Sequence, residues 1–166
     1  MLGSRVDEVK KILINSALLT RTINDLREAG SRGTERLVLW LGMNGARGCH
    51  VAEVFSPSQT VTEDSFWIDG PAMQSVLGHL RSTRLAVVAQ VHSHPHEAFH
   101  SRADDTWAIV RHIGALSIVV PQFALQTTIE SFLADVAAYE LTAENRWRQV
   151  PKRQLEKSFL VRHGKS

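Results

Sequence analysis

Histidines are concentrated in one short segment of this 166-residue chain. Four of its eight histidines fall within residues 92–100, at His92, His94, His96 and His100. His92 and His94 directly follow the apolar run 85–91, which has the length and composition of a strand buried on both faces. Side chains two residues apart in a strand point the same way, so these two imidazoles can meet at one point. The pair predicts two ligands for a metal ion.

A third ligand is available at the start of a predicted helix. Asp104 follows Ser101 by three residues, and two imidazoles with one carboxylate would leave the fourth tetrahedral position to water, as in catalytic zinc sites. Zinc is the metal that we expect, although nitrogen and oxygen ligands also accept other first-row ions. The single cysteine, Cys49, excludes an internal disulfide and a thiolate zinc site.

The elements that must position these residues begin with a helix and a hairpin. Residues 5–29 have apolar side chains at helical spacing, as one long helix or two short ones. Residues 35–42 form an apolar run of strand length. The turn dipeptide Asn44-Gly45 then predicts a hairpin whose second strand spans about 49–55.

Strands and helices continue to alternate along the rest of the chain. In order, we predict a short strand at 65–68, a helix at 71–81, the strand 85–91, a capped helix of about three turns from Ser101 to about 113, a buried strand at 116–121, a segment at 132–141 that suits either a strand or a helix, and a strand at 147–150. The interleaving predicts the α/β class, with a mixed sheet flanked by helices. One domain would span 1–150, including the N-terminal helix at about 5–29, and a basic tail would follow at 151–166.

The candidate site residues occur in a recognisable order. The chain carries, in sequence, Glu35, His92, His94, Ser101 and Asp104. This order resembles the pattern Glu…His-x-His…Ser-x-x-Asp of the JAB/MPN (JAMM) metalloprotease family, in which the glutamate lies seven residues before a glycine, as it does here. The resemblance covers residues 35–150, points to the compact prokaryotic deubiquitinase-like branch, and implies a single JAB/MPN-like (cytidine-deaminase-like) domain.

The resemblance also implies an activity and a role for each residue. His92, His94 and Asp104 correspond to zinc ligands, Glu35 to the acid/base that handles the zinc-bound water, and Ser101 to the residue that steadies the oxyanion. Bound zinc lowers the pKa of water to about 7. The implied reaction is hydrolysis of the amide bond after the C-terminus of a ubiquitin-like protein, in deconjugation or precursor processing. The implied partners are a ubiquitin-like protein or its conjugates, with activating and conjugating enzymes of the same pathway.

Neighbouring residues offer alternatives for two of these roles. Six residues separate His94 from Ser101 where the family commonly has seven, so Asp105 is an alternative to Asp104 as ligand. Glu53 also lies on a predicted strand and is an alternative acid, but it lacks the following glycine. We interpret His96 and His100 as solvated loop residues.

Composition and charge exclude several classes of protein. With 43% hydrophobic and 22% charged residues, the chain is globular and not disordered. The net charge of +2 arises from residues 151–166, which carry five basic residues and one acidic residue, so residues 1–150 sum to −2. We therefore expect no nucleic-acid binding by the body of the protein. The chain has no apolar run of ~18 residues and no secretory signal pattern, so we expect no membrane insertion and a cytoplasmic location.

Two other functions remain open from the sequence. One is a zinc peptidase or amidase that acts on small peptides and needs no ubiquitin-like partner. The other is a non-catalytic scaffold subunit, which would use its MPN-like domain for docking and the helix at 5–29 as its partner-binding face.

Overall fold

The computed structural model describes residues 10–102, 104 and 108–164. The elements within them, in chain order, are β1 (Ile12–Asn15), α1 (Ser16–Gly30), β2 (Leu37–Gly45), β3 (Gly48–Phe55), β4 (Thr60–Val61), β5 (Phe66–Trp67), α2 (Gly70–Thr83), β6 (Ala86–Ser93), β7 (Leu116–Val120), a 3-10 turn (Gln122–Ala124), α3 (Phe132–Asp135), β8 (Ala137–Leu141), β9 (Trp147–Gln149), α4 (Lys152–Ser158) and β10 (Phe159–Arg162). This is the mixed α/β arrangement that the sequence predicts.

One mixed sheet organises the described residues. Its eight strands lie in the order β10-β1-β3-β2-β6-β7-β8-β9, and β4 and β5 form a separate two-stranded sheet. The β1–β10, β1–β3 and β6–β7 pairs are parallel, whereas β2 pairs antiparallel with both β3 and β6. Because β2 and β6 run in opposite directions, the residues before β2 lie beside the residues at the end of β6. This relationship positions the candidate site.

The two faces of β2 pack against different helices, as the alternation of strand side chains requires. Val38 and Trp40 belong to the larger core, which also contains the buried residues of α1. The Trp40 Nε1 atom donates a hydrogen bond of 2.8 Å to Thr22 Oγ1, so the indole is both buried and satisfied. Leu37 and Leu39 belong to a second core with Val76 of α2. None of the helices in the described residues is long and apolar enough to cross a membrane.

The prediction of a helix over 5–29 is wrong at Ile12–Asn15, which form β1; residues 1–9 lie outside the described residues. The apolar side chains at this position suit a strand because β1 pairs with β3 on one side and β10 on the other. Asn15 then caps α1, since its side chain accepts a hydrogen bond of 2.8 Å from the Leu18 backbone amide. The helix is therefore a single one that starts later than predicted.

The prediction of a helix extending from Ser101 to about 113 is also wrong in its second half. Arg102 and Asp104 are helical, residues 103 and 105–107 lie outside the described residues, and residues 108–113 are not helical. The Ile109 backbone amide donates to the Gln90 side chain at 3.0 Å, so it is paired with β6 and not with a helical carbonyl. Side-chain capture of this kind competes with local secondary structure.

Residues 152–162 belong to the fold. Although the sequence predicts a basic tail at 151–166, residues 152–162 form α4 and β10, and Leu155 and Phe159 are buried in the larger core. The segment 132–141, whose sequence suits either a strand or a helix, contains both: α3 is followed by β8.

The predicted hairpin of β2 and β3 is confirmed, with its turn shifted to residues 46–47. Its register shifts between Leu41 and Gly42. A Cβ atom at Gly42 would lie 1.9 Å from the His50 carbonyl oxygen, so only glycine allows the two backbones to approach this closely. The glycine that the sequence places seven residues after Glu35 therefore has a packing role in the hairpin.

Candidate metal centre and active site

The end of β6 positions both histidines. His92 is a β6 residue paired with Leu37 of β2 and Val119 of β7, and the ring of Phe66 lies 5.4 Å from its ring. His94 follows the strand, and its backbone amide donates to the Val120 carbonyl at 2.9 Å. The two rings are 5.0 Å apart between centroids. The predicted convergence of the two imidazoles is present.

Asp104 is held by a reciprocal cap with Ser101. The Asp104 backbone amide donates to Ser101 Oγ at 3.1 Å, and the Ser101 backbone amide donates to Asp104 Oδ2 at 2.6 Å. This is the capping arrangement that Ser-x-x-Asp predicts at the first turn of a helix. The cap holds the Asp104 side chain through Oδ2, and Oδ1 takes no part in it.

The three predicted ligands lie together and are buried. His92 Nε2 is 3.2 Å from Asp104 Oδ1, and His94 Nε2 is 3.3 Å from Asp104 Oδ2. One potential ligand atom from each residue lies within 4.8 Å of the others, and each residue is at most 4% exposed. Tetrahedral zinc ligands are separated by about 3.4 Å, given metal–ligand bonds of about 2.0–2.1 Å. The spacing therefore fits a single ion.

The hydrogen-bonding state of His92 supports a ligand role. Neither Nδ1 nor Nε2 has a hydrogen-bond partner among the described residues, although Nε2 lies 3.2 Å from Asp104 Oδ1. A buried polar atom without a partner costs free energy, and each such atom calls for an explanation. A metal ion bound between His92, His94 and Asp104 satisfies a ring nitrogen that the protein leaves unpaired.

Glu35 is held next to this cluster by backbone contacts on two sides. Its amide donates to the Thr62 carbonyl at 2.8 Å, and the following residue, Arg36, exchanges hydrogen bonds with Ser93 at the end of β6. The Glu35 Oε1 atom lies 3.9 Å from His94 Nε2, and Glu35 is 2% exposed. The side chain that the sequence proposed as acid/base therefore lies beside the predicted ligands.

Burial determines the protonation behaviour of Glu35. Desolvation raises its pKa from 4.5 to about 7, with further contributions from the negative charges of Asp104 and Asp64, whereas His94 opposes the shift. A general base acts best when its pKa lies near the working pH. The buried carboxyl group is thus suited to exchange protons near neutrality.

The pKa of Asp104 shifts in the opposite direction. Burial alone would raise it, but the His92 and His94 side chains and the Ser101 backbone amide favour the carboxylate and hold the pKa well below its ordinary value. For His94, burial lowers the pKa, but Asp104 and Glu35 outweigh this effect and the pKa is raised overall. Asp104 is therefore ionised at neutral pH, as a metal ligand must be.

The alternatives raised by the sequence lie elsewhere or outside the described residues. Glu53 pairs with His79 of α2 at 2.9 Å from each carboxylate oxygen, and this contact engages its carboxylate. Asp105 lies outside the described residues. His96 is exposed, as predicted, whereas His100 lies in a loop, as predicted, but is half-buried and not solvated. Its Nε2 atom lies 3.1 Å from Ser117 Oγ, and its ring packs against Tyr139.

The sequence did not predict the residues that hold the chain next to Glu35 and Asp104. The Gln59 side chain exchanges hydrogen bonds of 2.8 Å with both backbone groups of Leu37, and thus fixes the start of β2. Gln90 and Ser117 are fully buried and hydrogen-bonded to each other. A signal for the latter pair was present, since a polar residue inside an apolar strand needs a partner.

No model of a protein family matches the chain. In overall fold, it is similar to the solution structure of protein DSY2949 from Desulfitobacterium hafniense, with a TM-score of 0.66, 13% sequence identity, and coverage of 92% of this chain and 94% of that one.

A second similarity extends to the sequence. The chain is 33% identical over 163 residues to the protein named "Probable metalloprotease y4jG" of Sinorhizobium fredii (strain NBRC 101917 / NGR234), covering 95% of this chain and 98% of that protein. The similarity covers nearly the full length of both chains, and the name of this relative agrees with the buried His-His-Asp cluster found here. The chain belongs to the same protein family as this probable metalloprotease.

Proposed function

We propose that this protein is a zinc-dependent peptidase of the JAB/MPN (JAMM) type, which hydrolyses the amide bond after the C-terminus of a ubiquitin-like protein. The observation that carries the proposal is the position of the buried Glu35 carboxyl group, 3.9 Å from His94 within the His92, His94 and Asp104 cluster. A metal-dependent peptidase needs both a ligand set and a nearby proton carrier, and these four side chains supply both.

His92, His94 and Asp104 would hold the ion, with two neutral imidazoles and one carboxylate as ligands. This donor set suits zinc, and it also accepts other first-row metals. When bound, the ion acidifies water and polarises the carbonyl oxygen of the substrate. The Ser101 amide and Ser101 Oγ fix the Asp104 side chain and backbone, respectively, so the carboxylate is presented in one orientation.

Glu35 carries the proton in the proposed reaction. Its carboxylate takes a proton from the attacking water and later delivers it to the departing amine, which a pKa near neutrality favours. Ser101 Oγ already accepts the Asp104 amide, and its hydrogen remains available as a donor. We assign this donor to the developing oxyanion, where it would stabilise charge that appears only during the reaction.

The resemblance of the five site residues to the JAB/MPN pattern supports a ubiquitin-like tail as the substrate. The two-stranded sheet of β4 and β5 lies next to the site, since Phe66 of β5 contacts His92. An extended peptide can bind by adding a strand to such a sheet. A linear C-terminal tail suits this mode because it can reach a buried centre that a folded surface cannot.

Cleavage of a fusion protein tests the proposal. The substrate is a ubiquitin-like protein joined through its C-terminus to a reporter, and the matched control is the same fusion with the last residues of the tail scrambled. Zinc-loaded enzyme should cleave the first fusion, while chelated enzyme and Glu35→Ala should not. Glu53→Ala serves as the matched variant, because it removes a glutamate of β3 that pairs with His79.

Each failure in this experiment has a distinct meaning. Equal cleavage by native, chelated and Glu35→Ala protein would rule out a metal-dependent peptidase with Glu35 as its base. Equal cleavage of the natural and scrambled tails would leave a metal-dependent peptidase and rule out the ubiquitin-like substrate. Where chelation abolishes cleavage, addition of zinc to the chelated enzyme should restore it.

A further inference from the structure

Two polar side chains lie in the middle of the apolar strands next to the metal cluster. Gln90 of β6 and Ser117 of β7 are direct partners in the parallel pairing of these strands, and both are fully buried. The Gln90 Nε2 atom donates to Ser117 Oγ at 3.0 Å. Gln90 precedes His92 by two residues on the same strand, so both side chains lie on the same face of the sheet.

This pair binds the chain on both sides of the segment that carries Asp104. Before the segment, His100 Nε2 lies 3.1 Å from Ser117 Oγ and shares a hydrogen bond with it. After the segment, the Ile109 backbone amide donates to Gln90 Oε1 at 3.0 Å. The entry and the exit of the segment are therefore tied to the same buried pair.

Aromatic packing limits the movement of His100 further. Its ring lies 5.0 Å, between centroids, from both Tyr139 of β8 and Trp147 of β9. The contacts with these two rings and the hydrogen bond to Ser117 restrict the rotation of the His100 ring. Ser101, the next residue, therefore follows a residue that is held against the sheet.

We propose that His100 is a positioning residue, which together with Gln90 and Ser117 forms a clamp that places the Asp104 carboxylate opposite His92 and His94. Both histidine ligands are placed by β6 and its pairing with β7, whereas Asp104 reaches the site from a connecting segment. A ligand on such a segment needs separate support, because displacements of about 0.5 Å already impair a metal or catalytic site. The clamp attaches Asp104 to the same two strands that hold the histidines.

The inference rests on the proposed metal site and adds a role for residues outside the cluster of His92, His94 and Asp104. A purely structural role would stabilise the fold without tuning the site. The two roles differ in their measurable consequences, because a positioning residue changes metal affinity and coordination more than it changes the thermal stability of the metal-free protein.

The test compares zinc affinity across a set of variants, by competition with a chromophoric chelator. His100→Phe keeps a ring between Tyr139 and Trp147 but removes the hydrogen bond to Ser117. His100→Gln keeps a polar atom at similar reach and is the conservative rescue. His112→Phe makes the same replacement at an exposed histidine and is the matched control. The absorption spectrum of the cobalt-substituted protein reports coordination geometry in each variant.

We expect His100→Phe to weaken zinc binding about tenfold, the lower end of the effect of residues that orient metal ligands. Its cobalt spectrum should change, while the Tm of its metal-free form falls by only a few degrees. His100→Gln should recover most of the affinity, and His112→Phe should match the native protein. Ser117→Ala removes the hydroxyl shared by Gln90 and His100 and changes the side-chain volume very little. It should have the same effect on zinc affinity as His100→Phe.

Three results would overturn the inference. Native zinc affinity in both His100→Phe and Ser117→Ala would show that the clamp does not position Asp104. A large fall in Tm with an unchanged cobalt spectrum would assign the network to stability alone. Absence of zinc binding by the native protein would overturn the proposed function together with the clamp, so the two failures are distinguishable.

Discussion

The Oε1 atom of Glu35 lies 3.9 Å from the Nε2 atom of His94, and both side chains are buried. The two residues meet because β2 and β6 are antiparallel neighbours, so Glu35, two residues before β2, lies beside His94, the residue after β6. Desolvation at this position raises the pKa of Glu35 to about 7. One strand pairing thus determines both where the carboxyl group lies and how readily it exchanges a proton.

Replacement of Glu35 should separate catalysis from metal binding. We expect Glu35→Gln to lower kcat by about 10²–10⁴, the usual contribution of a general acid–base group. Zinc content should stay at one ion per chain, because Glu35 is not one of the three assigned ligands. Turnover of the fusion substrate and elemental analysis of the same preparation measure the two quantities. Loss of metal together with activity would instead make Glu35 a ligand.

Adjacent aspartates provide a matched test of the carboxylate ligand. Asp104→Asn should lose the bound ion, because the ionised carboxylate lies 3.2–3.3 Å from both histidine nitrogens. Asp105→Asn removes the same charge one residue later and should retain the ion. Metal stoichiometry after dialysis distinguishes the variants. The reverse pattern would assign the ligand to Asp105.

Ser101 should contribute to stability and to turnover by different amounts. Ser101→Ala removes the hydroxyl that accepts the Asp104 amide, which should lower the free energy of unfolding by about 1 kcal/mol, as for other helix caps. If the hydroxyl also stabilises the oxyanion, kcat should fall by about 10²–10³. Chemical denaturation and steady-state kinetics measure these effects. A loss of stability with native kcat would make Ser101 a helix cap only.

The raised pKa of Glu35 predicts a specific pH dependence for the metal-free protein. The folded state holds the Glu35 proton more tightly than the unfolded state, so protonation of this residue favours folding at low pH. The stability of the native chain relative to Glu35→Gln should be highest below pH 4.5, fall as the pH rises from 4.5 to about 7, and stay constant above that. Urea denaturation of both chelated proteins at several pH values measures the difference. A difference that does not vary with pH would contradict the raised pKa.

The local sequence pattern was sufficient to predict those parts of the site that lie within a single strand or a single helical turn. Alternation along β6 and the residue directly after it brings His92 and His94 to the same point. The spacing of Ser101 and Asp104 likewise predicts the reciprocal cap, which needs only one helical turn. The sequence by itself therefore predicted that His92 and His94 converge and that Ser101 and Asp104 cap each other, because the contacts that decide these two features lie within a few residues.

Other features depend on contacts between distant parts of the chain, and only the tertiary structure decided them. Ile12–Asn15 are a strand because β3 and β10 lie on either side, although their apolar spacing also suits a helix. His100 is half-buried because it packs against Tyr139 and shares a hydrogen bond with Ser117, and both partners lie on strands that follow later in the chain. The pKa of Glu35 depends on desolvation by the whole fold, and burial of this kind has no signature in local sequence.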